Sequence, residues 1–321
     1  MKTELGKDIL HAAELLRKGE IVAIPTETVY GLAGNALDDE AVIRIYEAKQ
    51  RPRFNPLIIH LPSIEAAGNY VKEIPDVIHA LADRFSPGPL SYLLPKTSIV
   101  SDLVTAGSDK VVIRIPAHPQ TLELLRQLNF PLAAPSANPF GYVSPVTADH
   151  VLQGLGGKIP YILDGGACSV GLESTIIGMD GDDIIIHRLG GVSAEDIRSV
   201  TGKDPKFSLL HKKPDTPGQL ESHYAPAKPL YVGDVNRLIH ANPGKKKIAV
   251  ISFVNTYDVY LSRPLSVTGN LHEAASNLFT ALRELDRSDA EIIFAERFPD
   301  EGIGMAINDR LSRAGVSSAP F

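Results

Sequence analysis

The stretch IVAIPTETVYGLAG, residues 21–34, joins an apolar run to a crowded polar corner. Residues 21–24 are apolar and partly β-branched, which favours a buried strand, and Pro25 ends the run. Thr26, Glu27 and Thr28 follow, although a plain turn normally uses Gly, Asn or Pro. Because open α/β sheets bind ligands at the carboxyl ends of their strands, this corner is predicted to belong to a binding site.

The composition is that of an ordinary globular chain that is long enough for two domains. It has 321 residues, of which 44% are hydrophobic and 22% charged. The net charge of −6 and the pI of about 5.9 argue against a protein that holds nucleic acid through a broad basic face. The single cysteine, Cys168, leaves no intrachain disulfide or cysteine-based zinc site. That cysteine usage, and the lack of a signal peptide or a membrane-length apolar run, predict a cytoplasmic protein with no membrane association.

Short β-branched runs alternate with helical periods before residue 202, which predicts an α/β domain. The predicted strands there are residues 21–24, 57–61, 90–94, 111–115, 161–163, 175–178 and 184–187, and the predicted helices are residues 8–17, 40–49, 75–84, 120–128 and 193–200. A second α/β unit is predicted from strands over 230–232, 247–253 and 291–294 and helices over 271–285 and 302–313. We therefore divide the chain into a first domain (1–202), a proline-rich linker (203–229) and a carboxyl-terminal domain (230–321).

The segment YEAKQRPRFNPLIIH, residues 46–60, brings cations to the end of a predicted helix. Pro52 stops the helix, so Lys49 and Arg51 cluster at its exit, and Asn55 turns the chain into the strand that carries His60. Basic residues at a helix end are often no more than a solvated complement to the helix dipole. Here the return into a core strand directs them toward a sheet edge, and such grouped cations suit a polyphosphate.

Further polar side chains follow other predicted strands. Ser136, Asn138 and Ser144 lie in APSANPFGYVS, and Arg188 ends the strand before LGG. Thr147 is equally well explained as the cap of a following helix. If these strand ends converge on the cations, they form a pocket for an anionic, hydroxyl-rich ligand, most simply a nucleotide with a small polar substrate.

Several segments together resemble the YrdC-like family. They are PTETVYGL, KQRPRFNPLIIH, SPGPLSYLLP, VVIRIPAHP, APSANPFGYVSPVT, LESTII and HRLGG, while TPGQLESHYAPAKPLY and PDEGIGMAINDRLSRAG resemble the linker and last domain of the longer form of that family. The resemblance covers nearly the whole chain, in order. It implies an α/β fold, namely a twisted mixed-sheet YrdC-like domain, a smaller Rossmann-like α/β carboxyl-terminal domain, and a linker that contacts the active site.

The resemblance also implies a nucleotidyltransferase that forms threonylcarbamoyl-AMP and pyrophosphate from L-threonine, bicarbonate and ATP. The product would serve the threonylcarbamoyladenosine modification of tRNA through a downstream tRNA threonylcarbamoyl transferase complex, and a weak contact with tRNA is also expected. Mg²⁺ is expected to arrive on the ATP phosphates, with no protein ligand of its own. Two alternatives are an RNA-binding YrdC-like module, which the negative net charge disfavours, and a carbamoyl transferase of the hydrogenase-maturation type, which the single cysteine disfavours.

Matching the family pattern position by position implies the roles of individual residues. Lys49 and Arg51 are expected to be catalytic. The expected ATP-binding residues are Arg51, Asn55, Lys110, Ser136, Asn138, Ser144, Arg188 and Tyr224. The expected L-threonine-binding residues are Thr28, His60, Arg114, Ala134 and Ser174. Two positions depart from the pattern, because Lys110 stands where a small hydroxyl residue is expected and Glu221 lies where the linker is usually more basic.

Overall fold

Two β-sheets organise the chain in the computed structural model, which describes residues 2–209, 216–217 and 224–316. The strands are β1 (Glu4–Gly6), β2 (Val22–Ile24), β3 (Gly31–Asn35), β4 (Ile58–His60), β5 (Leu90–Pro95), β6 (Lys110–Arg114), β7 (Leu132–Ala133), β8 (Tyr161–Leu163), β9 (Thr175–Asp180), β10 (Asp183–Arg188), β11 (Lys206–Phe207), β12 (Leu230–Val232), β13 (Ile248–Ser252), β14 (Leu261–Pro264) and β15 (Ile292–Ala295). The helices are α1 (Ile9–Arg17), α2 (Asp39–Lys49), α3 (Asp76–Phe85), α4 (Asp102–Thr105), α5 (Pro119–Gln127), α6 (Ala148–Leu155), α7 (Ala194–Thr201), α8 (Val235–Ala241), α9 (Leu271–Arg287) and α10 (Gly304–Ala314).

The first sheet is mixed, which confirms the fold expected from the sequence. Its described strands run in the order β1-β8-β2-β3-β7-β4-β6-β5-β9-β10-β11. β4 pairs with β6 in parallel, and β5 pairs with β9 in parallel. β7 pairs antiparallel with both β3 and β4, and β5 and β6 are antiparallel to each other. The carboxyl ends of β4 and β6 therefore lie at the same sheet edge as the start of β9 and the end of β10.

The end of α2 sets the position of the basic cluster. Asp38 begins the helix by accepting a hydrogen bond from the backbone N–H of Glu40, and the helix ends at Lys49. Gln50 then adopts a left-handed conformation with φ of 54°, and Pro52 prevents the helix from continuing. The chain reverses over the next residues and enters β4.

The carboxyl-terminal unit is a parallel sheet with helices on both faces, as the Rossmann-like prediction required. The order is β12-β15-β13-β14, and all pairs are parallel. Successive residues of β13 point to opposite faces of the sheet and pack in different apolar clusters. Val250 packs in a cluster with α8, whereas Ile251 belongs to the main core. That main core runs without interruption from the first sheet to α9 and α10, so the two units share apolar packing. In the part of the chain that the structure describes, no helix has the length and apolar character needed to cross a membrane.

Most elements with a continuous apolar or periodic pattern occur within a few residues of their predicted bounds. The elements that the sequence did not reveal are β1, β3, β7, β11, β14, α4 and α8; α6 was expected only as a helix following Thr147, which does cap it. β3 reads GLAGN and looks like a loop, yet it pairs with both β2 and β7. Long-range pairing, rather than local propensity, makes it a strand. The first sheet extends to β11, beyond the predicted boundary at residue 202.

Gly34 on β3 is predicted to be intolerant of a side chain. A Cβ there would lie 3.1 Å from Ile45 Cδ1 and 3.3 Å from Ile21 Cγ2. Gly34→Val should therefore reduce the free energy of unfolding by about 1–3 kcal/mol, measured by urea unfolding. Gly68→Val is the control, because nothing lies within 4 Å of a Cβ at that position. Equal losses in both variants would contradict this account.

Candidate active site

A cavity lies on one face of the first sheet, where several strands end or begin. His60 ends β4, Arg114 ends β6, Arg188 ends β10 and Ser174 precedes β9. The lining consists of Val29, Arg51, Ile58, His60, Arg114, Ala134, Pro135, Ser136, Glu173, Ser174, Arg188, Pro217 and Tyr224. The structure therefore gathers at one cavity many of the residues predicted for ATP and for L-threonine, with the linker residue Tyr224 as part of the wall.

Two of the cavity's guanidinium groups are buried without a carboxylate partner among the described residues. Arg51 is 7% exposed and Arg188 is 6% exposed, and neither forms an ion pair with a described acidic side chain. Burial is the main cause that lowers the pKa of each guanidinium to about 10. Buried charges in native proteins are normally paired, so these two cations indicate a site for an anion.

Arg51 is held in place by the turn that follows α2. Its Nη2 donates to Asn55 Oδ1 at 2.6 Å and to the carbonyl of Pro56 at 2.9 Å, and its Nε donates to the carbonyl of Asn55. The other terminal nitrogen, Nη1, has no hydrogen-bond partner in the described part of the chain. The turn thus fixes the guanidinium and leaves one of its edges for a ligand.

Lys49 is buried beside the cavity rather than in its lining. Its ammonium donates to the carbonyl of Ser136 and, at 2.5 Å, to the carbonyl of Asn138. Burial, and then the neighbouring Arg51, lower the pKa of Lys49 well below its usual value. In this geometry Lys49 ties the loop that carries Ser136 and Asn138 to the end of α2, and its predicted catalytic role stays a prediction.

Two predicted ATP-binding amides each keep one buried atom without a partner. Asn55 Nδ2 and Asn138 Oδ1 are both enclosed, and neither is hydrogen-bonded to any described residue. The orientation of each amide is fixed by its other end, because Asn55 Oδ1 accepts from Arg51 and Asn138 Nδ2 donates to the carbonyls of Pro139 and Tyr142. Buried polar atoms are seldom left unpaired in native proteins, so these two can accept a new partner. Neither amide is among the residues that line the cavity, and their predicted contacts with ATP stay predictions.

A hydroxyl network supports Arg188. Its Nη2 donates to Ser174 Oγ at 2.9 Å and its Nε donates to the Ser174 carbonyl at 3.0 Å. Ser174 Oγ also lies 2.7 Å from Ser91 Oγ on β5. Nearby, Ser144 lies outside the lining and donates to Glu173 Oε1 at 2.6 Å. Sequence reasoning missed Ser91 and Glu173, although a polar residue within an otherwise apolar strand such as LSYLL was a usable signal for Ser91.

His60 and Arg114 lie side by side at the ends of the paired strands β4 and β6. Burial, and then Arg114, lower the pKa of His60 to about 3, so its imidazole is neutral at physiological pH. Its Nδ1 lies 3.3 Å from the carbonyl of Ile58, which favours the proton on Nδ1 and leaves Nε2 as an acceptor. Arg114 Nη2 donates to Glu27 at 2.6 Å, and Glu27 also accepts from the backbone N–H of Ala117. Glu27, which the sequence placed in the polar corner without a role of its own, fixes the guanidinium of Arg114.

The polar corner of the opening stretch is built around Thr26. Its Oγ1 accepts from the backbone N–H groups of Thr28 and Val29 and donates to the carbonyl of Val29. Thr28 is fully buried with its Oγ1 2.8 Å from Thr26 Oγ1, so Val29, not Thr28, reaches the cavity lining. Thr28 is thus not among the residues that line the cavity, and its predicted contact with L-threonine stays a prediction.

Lys110 is not brought to this cavity. It begins β6 whereas Arg114 ends it, and Lys110 lines a separate surface depression with Glu73, Asp76 and Asp182. This geometry gives no support to its predicted contact with ATP, because opposite ends of a strand face opposite edges of the sheet. Glu221 of the linker lies outside the described residues.

The carboxylates at the cavity are already held by arginines. Glu27 pairs with Arg114, and Glu173 pairs with Arg310 at 2.8 Å. Within the described ranges, no group of three His, Cys, Asp or Glu side chains could hold a metal ion. This donor set does not suit a cage of protein ligands for Mg²⁺, and it is compatible with a Mg²⁺ ion carried by phosphate oxygens.

Residues 14–190 match the sequence model of the family named for Sua5, YciO and YrdC and described as "Telomere recombination". Residues 192–315 match that described as "Threonylcarbamoyl-AMP synthase, C-terminal domain". The chain belongs to the threonylcarbamoyl-AMP synthase family. Within it, the chain is 41% identical to the enzyme of Bacillus subtilis over 319 residues, which cover 95% of this chain and 92% of that protein. It is 42% identical to the Pyrococcus abyssi enzyme over 317 residues, which cover 94% of this chain and 92% of that protein.

The solved structures agree with this family membership. The fold matches that of Pyrococcus abyssi Sua5 in complex with L-threonine with a TM-score of 0.91 and 39% identity, covering 98% of this chain and 97% of that one. A second likeness, to YciO of E. coli, has a TM-score of 0.51 and 20% identity, covers 59% of this chain and 96% of that one, and shows a shared fold alone.

The depressed pKa of His60 predicts a loss of stability in acid. The unfolded chain binds a proton near the ordinary histidine pKa of about 6.5, whereas the folded chain binds it only near 3, so stability falls as the pH drops between these values. Between pH 7 and 5 this should cost about 1–2 kcal/mol in urea unfolding. His60→Gln should remove that part of the slope, and His79→Gln, at an exposed position, should keep it. An unchanged slope in His60→Gln would refute the assignment.

Proposed function

We propose that this chain is an enzyme that forms threonylcarbamoyl-AMP and pyrophosphate from L-threonine, bicarbonate and ATP, for the threonylcarbamoyladenosine modification of tRNA. The buried guanidinium groups of Arg51 and Arg188 carry this proposal, since neither has a carboxylate partner among the residues that the structure describes. Family membership supports it, as does the L-threonine complex of the Pyrococcus abyssi protein.

The phosphates of ATP would bind between Arg51 and Arg188. Arg51 offers its free Nη1 edge, and Asn55 offers the unpartnered Nδ2 donor beside it. Ser136, half-buried in the lining, offers a hydroxyl from the loop that Lys49 holds, and Asn138 offers an acceptor. Charge-assisted hydrogen bonds from guanidinium groups to phosphate are among the stronger polar contacts, and neither guanidinium is ion-paired with a described carboxylate.

L-threonine would bind between His60, Arg114 and Ser174. Arg114 is held by Glu27 through Nη2, so its other terminal nitrogen can pair with the substrate carboxylate. The neutral His60 can accept a hydrogen bond at Nε2 from the amine or hydroxyl, because its low pKa keeps it unprotonated. Ser174 and the backbone of Ala134 would complete the amino-acid site.

The reaction needs charge stabilisation and positioning rather than a side-chain nucleophile. The amine of threonine forms a carbamate, either by adding to carbon dioxide with loss of a proton or by condensing with bicarbonate with loss of water. A carbamate oxygen then attacks the α-phosphorus of ATP, and the bond to the leaving pyrophosphate breaks. Two unit charges about 4 Å apart repel by about 4 kcal/mol at an effective dielectric of about 20. Arg51 and Arg188 offset this repulsion and stabilise the leaving group from fixed positions. Mg²⁺, carried by the phosphates, would neutralise part of their charge.

The product is a mixed anhydride that must be passed to an acceptor before water destroys it. We propose a downstream tRNA threonylcarbamoyl transferase complex as the recipient and the cytoplasm as the compartment, with at most a weak contact to tRNA. The net charge of −6 supports a contact with tRNA that is weak at most, and the single cysteine supports the cytoplasm.

The reaction can be tested by mass spectrometry of the purified protein with ATP, L-threonine and bicarbonate. We expect threonylcarbamoyl-AMP and pyrophosphate when all three are present, and neither product when any one is omitted. Pyrophosphate that forms without threonine or without bicarbonate would indicate a different acceptor and would overturn the proposal.

Arg51→Ala should lower the rate of threonine-dependent pyrophosphate release by about 100-fold or more, since it removes a fixed donor from the developing charge. Arg84→Ala, which removes an exposed arginine of α3, should leave the rate unchanged. Thermal unfolding of both variants would show that they fold. A folded Arg51→Ala variant with the wild-type rate would remove this cation from the mechanism.

A further inference from the structure

Arg310, a residue of the carboxyl-terminal domain, reaches the wall of the cavity in the first domain. Its side chain is fully buried, and its Nε donates to Glu173 Oε2 at 2.8 Å. Nη2 donates to the carbonyl of Leu189 at 2.7 Å, and Nη1 donates to Asp309 at 2.6 Å. The guanidinium is therefore fixed by partners from both domains.

Glu173 is the acidic member of a cavity that otherwise presents guanidinium groups. Its carboxylate lines the same cavity as Arg51 and Arg188. Its Oε1 accepts from Ser144 and its Oε2 accepts from Arg310, so both oxygens are engaged by donors. Without a cation against it, this buried carboxylate would repel an anionic ligand in the cavity.

Arg310 also supports the linker at the cavity. Its guanidinium lies over the ring of Tyr224, 4.9 Å from the centroid, and Tyr224 stacks on Phe279 of α9 at 5.8 Å. Tyr224 lines the cavity and adopts a left-handed φ of 66°, which a tyrosine rarely adopts without support from its surroundings. The same guanidinium thus contacts both the acidic residue and the aromatic residue of the cavity wall.

We propose that Arg310 is a positioning residue for the polyphosphate site: it neutralises Glu173 and holds Tyr224, so that the site is complete only when the carboxyl-terminal domain is docked. The inference rests on the proposed function in taking the bound anion to be the triphosphate of ATP. It assigns to the last domain a part in substrate binding.

The charged groups around Glu173 determine how its pKa would change if Arg310 were removed. Burial raises the pKa of Glu173, but Arg310 from α10 and Arg188 from β10 outweigh burial and lower it, so the group is ionised at neutral pH. Tyr224 of the linker and Asp309 of α10 are the other titratable groups nearby. When Arg310 is removed, burial remains and its attraction is lost, so the pKa of Glu173 rises. Lower pH should then neutralise Glu173 and relieve the repulsion.

The test measures binding of inorganic tripolyphosphate and of ATP to the full-length chain by isothermal titration calorimetry. Arg310→Met should weaken both affinities about tenfold or more at pH 7.5. Arg310→Met combined with Glu173→Gln should recover affinity to within about threefold of wild type, because the second change removes the unpaired charge and keeps an acceptor for Ser144. The remaining difference measures the lost contact between Arg310 and Tyr224. Arg297→Met, which removes an exposed arginine of the carboxyl-terminal domain that is paired with Asp300, should bind both anions as wild type does.

A pH series separates neutralisation of Glu173 from a purely structural effect. In Arg310→Met, the anion affinity relative to wild type should rise between pH 7.5 and 5.5, whereas in the double variant that ratio should stay flat. If Arg310→Met does not fold, Arg310→Gln replaces it as the neutral variant and Arg310→Lys serves as the variant that keeps the charge. Arg310→Gln should then lose anion affinity, and Arg310→Lys should not. Wild-type affinity in a folded neutral variant, or no recovery in the double variant, would overturn the inference. If the tripolyphosphate pattern holds but wild type makes no threonylcarbamoyl-AMP, the proposed reaction fails and the role of Arg310 stands.

Discussion

The constraint on which the site depends is the burial of Arg51 and Arg188 without an acidic partner among the described residues. An isolated charge is costly to take out of water, and here neutral acceptors meet part of that cost: Asn55 and Pro56 hold Arg51, and Ser174 holds Arg188. Such acceptors hold the guanidinium groups in place without cancelling their charge. The fold therefore retains a positive potential in an enclosed space, and an anionic ligand relieves the remaining cost on binding.

The mixed sheet makes this arrangement possible. The parallel pair of β4 and β6 places His60 and Arg114 next to each other at their carboxyl ends. β5 and β9 run antiparallel to β6, so Ser174 lies at this edge because it precedes β9. β10 reverses the direction again, and Arg188 reaches the same edge at its carboxyl end. In an all-parallel sheet of this order, Ser174 would lie at the opposite edge, because it precedes its strand. The catalytic proposal thus depends on strand direction as much as on residue type.

The sequence was a sound guide where local pattern and final structure agree. Apolar runs such as those of β2 and β13 correctly predict buried strands. Several polar residues predicted at strand ends, among them His60, Ser136 and Arg188, do line one cavity. It failed where long-range contacts decide. The local sequence GLAGN does not predict a strand, which forms only by pairing with β2 and β7. The sequence around Lys49 likewise does not show that its ammonium donates to two backbone carbonyl groups. Lys110 shows the converse, because a match to a family position gave it a role that its place at the far end of β6 does not support.

The contacts between the two domains are the part of the molecule that no local pattern could reveal. In sequence, α10 shows an ordinary apolar face of Ile303, Ile307 and Leu311, and Arg310 looks like a solvated neighbour of that face. In the structure it is fully buried against Glu173, more than a hundred residues away along the chain. A second arginine, Arg283 of α9, is buried in the same interface and donates to the carbonyl of Val143, in the segment that carries Ser144. A buried arginine that only joined two domains could be replaced by apolar packing, as the continuous core between them already shows. What apolar packing could not do is offset the charge of Glu173 in the cavity, and this is the part that we propose for Arg310.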